Sequence, residues 1–113
     1  MTSHAATTKN RKVTVSSPNV AGQYKATLYV NGKPQTIGTT NDRIGRVKIS
    51  KSMPITVNKN AQIYVRLDYI GIGKRAIASN IVKVTEQQLK TGFYTINVTV
   101  DSTYKAKLTL DLF

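Results

Sequence analysis

Residues 24–30 read Tyr24-Lys25-Ala26-Thr27-Leu28-Tyr29-Val30 and run directly into Asn31-Gly32. Apolar and polar residues alternate, and a period of two puts one set on each face of a β-strand. Asn31 and Gly32 both tolerate positive φ, so the pair predicts a two-residue type I′ hairpin. The return strand spans residues 33–39, and Pro34 places it at a sheet edge because proline cannot donate to a ladder. The same alternation, with cations at the polar positions, recurs in Arg46-Val47-Lys48-Ile49 and Tyr104-Lys105-Ala106-Lys107-Leu108. One face of the protein is therefore expected to be cationic.

Working outward, the pattern predicts short strands over 13–15, 23–30, 33–39, 46–50, 54–57, 62–70 and 76–85, and a final hairpin over 93–100 and 104–112. In the strand at 62–70, Ile63, Val65, Leu67 and Tyr69 share one face. In the hairpin, Tyr94, Ile96, Val98 and Val100 face inward opposite Leu108, Leu110 and Leu112. Thr85 and Gln88 fit a capping box, with Gly92 as the stop, which allows one helical turn near 86–91. About eight short strands separated by turn signals predict an all-β, antiparallel β-sandwich, with a small barrel as the alternative. Residues 1–12 have no periodicity and read as a polar, basic N-terminal arm. Residues 13–113 read as one domain.

Seventeen Lys and Arg stand against five Asp and Glu in 113 residues, a formal charge of +12. Such a surplus predicts an acidic partner: nucleic acid, an anionic membrane or an acidic protein surface. The chain has no cysteine, which rules out disulfides and thiolate chemistry. No run reaches the roughly 18 apolar residues of a membrane span, so no membrane insertion is expected. The chain begins with Met and a polar stretch lacking an apolar core, which predicts intracellular synthesis without a signal peptide.

Residues with catalytic potential are few. His4 lies in the arm and reads as solvated. Asp42 and Asp101 sit in turns, Glu86 at a helix start, and Asp68 beside Arg66 on an outward strand face. No pair of acids has a spacing that demands shared catalysis or a metal. Gly71-Ile72-Gly73-Lys74-Arg75 lacks the spacing and the Ser or Thr of a phosphate loop. Asn97-Val98-Thr99 matches a glycosylation sequon, which carries little without a signal peptide. No catalytic, cofactor or metal residue is expected. Tyr29, Tyr64 and Phe93 fall on the polar face by alternation, near Lys25 and Arg66, where rings could stack on bases.

Tyr64-Val65-Arg66-Leu67, the loop at 71–74 and Ser79-Asn80-Ile81-Val82-Lys83-Val84-Thr85 resemble the last two strands of a fibronectin type III domain. The resemblance covers residues 64–85 and implies an immunoglobulin-like or fibronectin-like sandwich. The tryptophan usual in that family is missing, and a further hairpin follows where the domain would end.

The resulting expectation is a non-enzymatic structural protein, a small basic subunit of a larger, oligomeric or lattice-like assembly. Its most concrete form is a phage capsid decoration or auxiliary protein, located in the virion and bound to an acidic protein lattice. The expected contact residues are Lys9, Arg11, Lys12, Arg46, Lys48, Lys74, Arg75, Lys105 and Lys107, with the arm acting as a tether. The first alternative is a sequence-nonspecific single-stranded nucleic-acid binder. The second is a fibronectin-like adhesion or carbohydrate-binding module, disfavoured by the missing Trp and signal peptide.

Overall fold

A computed structural model of the chain describes residues 7–17, 22–39, 47–73 and 75–112. The elements run β1 (Thr7–Ser17), β2 (Tyr24–Val30), β3 (Lys33–Thr39), β4 (Val47–Val57), β5 (Gln62–Tyr69), β6 (Ile77–Ala78), β7 (Val82–Lys83), α1 (Glu86–Thr91), β8 (Thr95–Val100) and β9 (Ala106–Asp111). They form two sheets, one in the order β4-β1-β8-β9 and one in the order β3-β2-β5-β6, with β7 also paired to β5. The protein is an all-β sandwich with one short helix. Among the described residues its strands pair antiparallel apart from β1 against β8, which is parallel, and an isolated parallel bridge joins Ser79 to Ala106.

The period-two pattern converts directly into burial. Val13 and Val15 of β1, Ala26 and Leu28 of β2, Ile63, Val65 and Leu67 of β5, Ile96 and Val98 of β8, and Leu108 of β9 are buried between the sheets. Tyr24 is also buried and meets the Tyr69 ring edge-on at 5.3 Å. The turn at Asn31-Gly32 has φ of 51° and 78°, and Val30 faces Lys33 across it, as a type I′ hairpin requires. Gly32→Val is therefore expected to cost about 1 kcal/mol or more. The cost is backbone strain alone, since among the described residues nothing lies within 4 Å of where a Cβ would stand. A urea-melt difference under about 0.3 kcal/mol would show that the turn does not need a left-handed residue. Pro34 does lie on an edge strand. The capping box is present in both directions, Gln88 N to Thr85 Oγ1 at 3.1 Å and Thr85 N to Gln88 Oε1 at 2.9 Å. Gly92 closes the helix with φ 72°.

Several expectations are corrected. Thr7–Lys12 belong to β1 and not to an arm. They pair with Met53–Val57 and Ser52 of β4, which extends far enough to satisfy their backbone. Residues 1–6 lie outside the described residues. The strands expected at 46–50 and 54–57 are one strand, β4. It passes through Pro54 because it is an edge strand: among the described residues no further strand requires an N–H there, and the Pro54 carbonyl accepts from Gln35 Nε2 at 2.9 Å.

The strand expected at 76–85 is broken in two. At the break, Ser79 Oγ accepts from the Val65 amide and the Ser79 amide donates to the Val65 carbonyl, both at 2.9 Å. The Asn80 side chain then crosses to β9, accepting from Leu108 N at 2.7 Å and donating to Leu108 O at 3.3 Å. Polar side chains here compete with the ladder and join the two sheets.

The inward phase assigned to Tyr94 is also wrong. Phe93 is buried and Tyr94 is 43% exposed, because the left-handed Gly92 resets the chain and β8 starts only at Thr95. Leu112, past the end of β9, is 52% exposed. The β8–β9 hairpin itself is integral, supplying two of the four strands of its sheet.

Register orients the molecule. One end carries the 31–32 turn, the 58–61 turn and α1. The opposite end carries the β5–β6 loop and the β8–β9 turn.

Candidate partner-binding surface

The outer face of the β4-β1-β8-β9 sheet follows from the register. Three rows cross it: Ser52–Lys12–Thr95–Asp111, Ser50–Thr14–Asn97–Thr109 and Lys48–Ser16–Thr99–Lys107. The field is made of short hydroxyl and amide side chains, with Thr14 Oγ1 donating to Asn97 Oδ1 at 2.6 Å. Lysines rise from its rows. Lys48 and Lys107 stand on the two outermost strands, about 14 Å apart at a spacing of about 4.8 Å per strand. Both are exposed, and among the described residues neither has a carboxylate partner. Asp111 ends the row that holds Lys12, so charge there is partly balanced.

The remaining contact candidates are scattered. Arg75 and Lys105 lie at the loop end, in the β5–β6 loop and the β8–β9 turn. Lys9 is exposed at the helix end, with its amine against Gly92, where it also meets the electronegative end of α1. Arg46 and Lys74 lie outside the described residues.

Arg11 is a correction. It is 1% exposed, its guanidinium sits 4.5 Å over the Phe93 ring, and its Nη1 donates to the Ile55 carbonyl. Burial lowers its pKa from the ordinary value. Its Nε has no hydrogen-bond partner among the described residues. This side chain is packed in the interior and is not available to a partner.

The outer face of the other sheet is different. Tyr29 and Tyr64 face each other across β2 and β5, stacked at 4.7 Å and 4°. Pro34 flanks Tyr29 on β3. Arg66 lies one row along, tied to Asp68 by a 3.0 Å ion pair. Phe93, placed with these rings by alternation, is instead in the core.

The described acids are each engaged locally. Asp68 holds Arg66, and Glu86 meets Lys59 at 3.7 Å and Lys90 at 4.0 Å. Asp101 Oδ1 accepts from Thr103 Oγ1 at 2.6 Å, Thr103 N at 2.8 Å and Lys105 N at 3.1 Å. These bonds, the Thr103 hydroxyl first, hold its carboxyl below the usual carboxylate range. Asp111 Oδ2 accepts from Thr109 Oγ1 at 3.4 Å. Asp42 and His4 lie outside the described residues. Among the described residues no three His, Cys, Asp or Glu gather as a metal site, and no helix is long and apolar enough to cross a membrane.

One feature escapes the period-two reading. At the loop end, Tyr24, Arg75, Ala76, Ile77 and Tyr104 line a largely apolar cavity of about 390 Å³. Burial, then the neighbouring Tyr104 and Tyr69, raise the Tyr24 hydroxyl above its usual pKa. No local sequence signal brings these residues together, since they come from β2, the β5–β6 loop, β6 and the β8–β9 turn.

No family model, curated protein or solved structure matches the chain.

Proposed function

We propose that the protein is a non-enzymatic structural subunit that docks through its cationic surface on an acidic protein face of a larger assembly. Its most specific form is a decoration or auxiliary subunit of a virion, in the manner of small phage capsid proteins. The observation that carries this reading is the row Lys48–Ser16–Thr99–Lys107. Two lysines without carboxylate partners among the described residues flank a field of short hydroxyls, a surface that a flat acidic protein face can approach closely. The acids add support, because each described one is engaged in a local bond. Complementary charge of this kind sets the rate and specificity of docking more than its ultimate tightness.

The test pairs native mass spectrometry of material from its source with binding of charge-reversed variants to the co-purifying assembly. Lys48→Glu with Lys107→Glu is expected to weaken occupancy by about tenfold at low salt, a gap that narrows as salt rises. Melting temperature should change little, since both side chains are exposed. Unchanged occupancy across the salt series would overturn the reading.

A second reading is carried by the Tyr29–Tyr64 stack beside Arg66, which offers aromatic rings and a cation to single-stranded nucleic acid. Nucleic acid co-purifying in the same experiment, with affinity lost in Tyr64→Ala and kept in the double lysine variant, would favour it.

A further inference from the structure

The β5–β6 loop, which supplies Arg75 and Ala76 to the cavity, also carries an apolar residue that the fold does not use. Ile72 is 99% exposed, held between Gly71 and Gly73 at the tip of the β5–β6 loop. Ile70 in the same loop is also exposed, and its amide is anchored to the Gln23 carbonyl at 2.8 Å. An isoleucine so placed contributes nothing to the isolated fold. Tyr104, on the cavity wall, is 48% exposed and has φ 62°. A bulky residue in the left-handed region is strained, and such strain gathers at functional sites. The Asp101 turn maintains it, through Tyr104 N to Asp101 O and Asp101 N to Lys105 O, both at 3.0 Å. An asparagine or glycine would suit that backbone better, but neither would supply a ring as a cavity wall.

We propose that this cavity is a socket for an acidic protein segment that presents one bulky apolar side chain. The inference rests on the reading of the protein as a subunit docking on an acidic protein, and it names the anchoring feature. The walls Tyr24, Ala76, Ile77 and Tyr104 accept an apolar group, and a volume of about 390 Å³ accommodates an aromatic side chain. Arg75 lines the same cavity and Lys105 follows Tyr104, so carboxylates flanking the inserted group meet cations. A second copy of the chain fits poorly, because its Arg75 and Lys105 would approach their own equivalents. A bilayer fits poorly too, because it presents no protruding group to enter a concavity. A bulky side chain buried in a desolvated pocket is the usual anchor of a protein hot spot.

The test uses the full chain, isotope-labelled, and an acetylated, amidated peptide of sequence Asp-Glu-Phe-Glu-Asp. Saturable amide shifts are expected at Ala76, Ile77 and Tyr104. The same peptide with serine for phenylalanine should bind about tenfold more weakly, the difference one buried phenyl group makes. Ala76→Trp, which fills the socket, should weaken the peptide without lowering the melting temperature. Tyr104→Asn should melt no lower than the native chain and still lose affinity, a combination a purely structural tyrosine would not produce.

Equal binding of the two peptides, or shifts spread over Lys48 and Lys107, would overturn the socket. So would phosphatidylserine vesicles that bind through Ile72 while the peptide does not. Failure of the peptide while the double lysine variant still loses occupancy on the assembly would sink this inference and leave the proposed function standing. Peptide binding with no effect of that double variant would sink the Lys48–Lys107 row as the docking face and leave the socket standing.

Discussion

A chain that begins at Val13 is expected to be about 2–5 kcal/mol less stable than the full chain, a large share of the 5–15 kcal/mol typical of a domain. The missing residues include Thr7–Lys12, which hold the β4 half that contains Met53, Ile55 and Val57. Those three side chains are buried, and each is worth roughly 1.5–3 kcal/mol if fully re-exposed. Part of that burial survives because β4 stays covalently tethered at Val57 and paired from Val13 onward. Arg11 is lost as well, along with its contacts to Phe93 and Ile55. At about 4 °C per kcal/mol for a chain of this size, the melting temperature should fall by about 8–20 °C. A drop of only a degree or two would show that residues 7–12 are a tether after all, and that β1 effectively starts at Val13.

Phe93→Ala is expected to cost about 3–5 kcal/mol, the usual range for deleting a buried aromatic ring. Phe93 is 1% exposed and lies under the Arg11 guanidinium. Removing the ring opens a cavity and strips a buried cation of its π partner. Among the described residues Arg11 has no carboxylate to offset its desolvation. Arg11→Met, of similar length and apolar, is therefore expected to lie within about 1 kcal/mol of the native chain. The double variant should fall short of the sum of the two single changes, because one contact serves both residues. Urea melts of all four proteins give the coupling directly. Strict additivity would show that the ring and the guanidinium do not interact energetically.

The two predictions turn on residues that alternation misplaced, and for the same reason. Thr7-Thr8-Lys9-Asn10-Arg11-Lys12 has no apolar member, so nothing in its pattern announces a strand. It becomes one because β4, some forty residues away in sequence, offers it a ladder. Phe93 and Tyr94 exchange places because a left-handed glycine precedes them, and the phase of β8 is set by pairing with β1 and β9. Of the expected contact lysines, Lys48 and Lys107 were legible as outward cations. Their membership of one row was not, since it depends on the register of four strands.

The amino-acid sequence by itself determined whatever depends on a few neighbouring residues. The type I′ turn at Asn31-Gly32 follows from two residues that tolerate positive φ. The Thr85–Gln88 box and its Gly92 stop follow from the orphan groups of a single helical turn. The all-β character follows from alternation repeated along the chain. Only the tertiary structure decided that the N-terminal strand lies between β4 and β8, that Arg11 is buried over Phe93, and that described residues from four elements line the Tyr24–Tyr104 cavity. Local chemistry selects the conformation of a segment. Which segments meet is settled by closing long loops around a shared apolar interior, and that free energy belongs to the whole chain and to no single stretch of it.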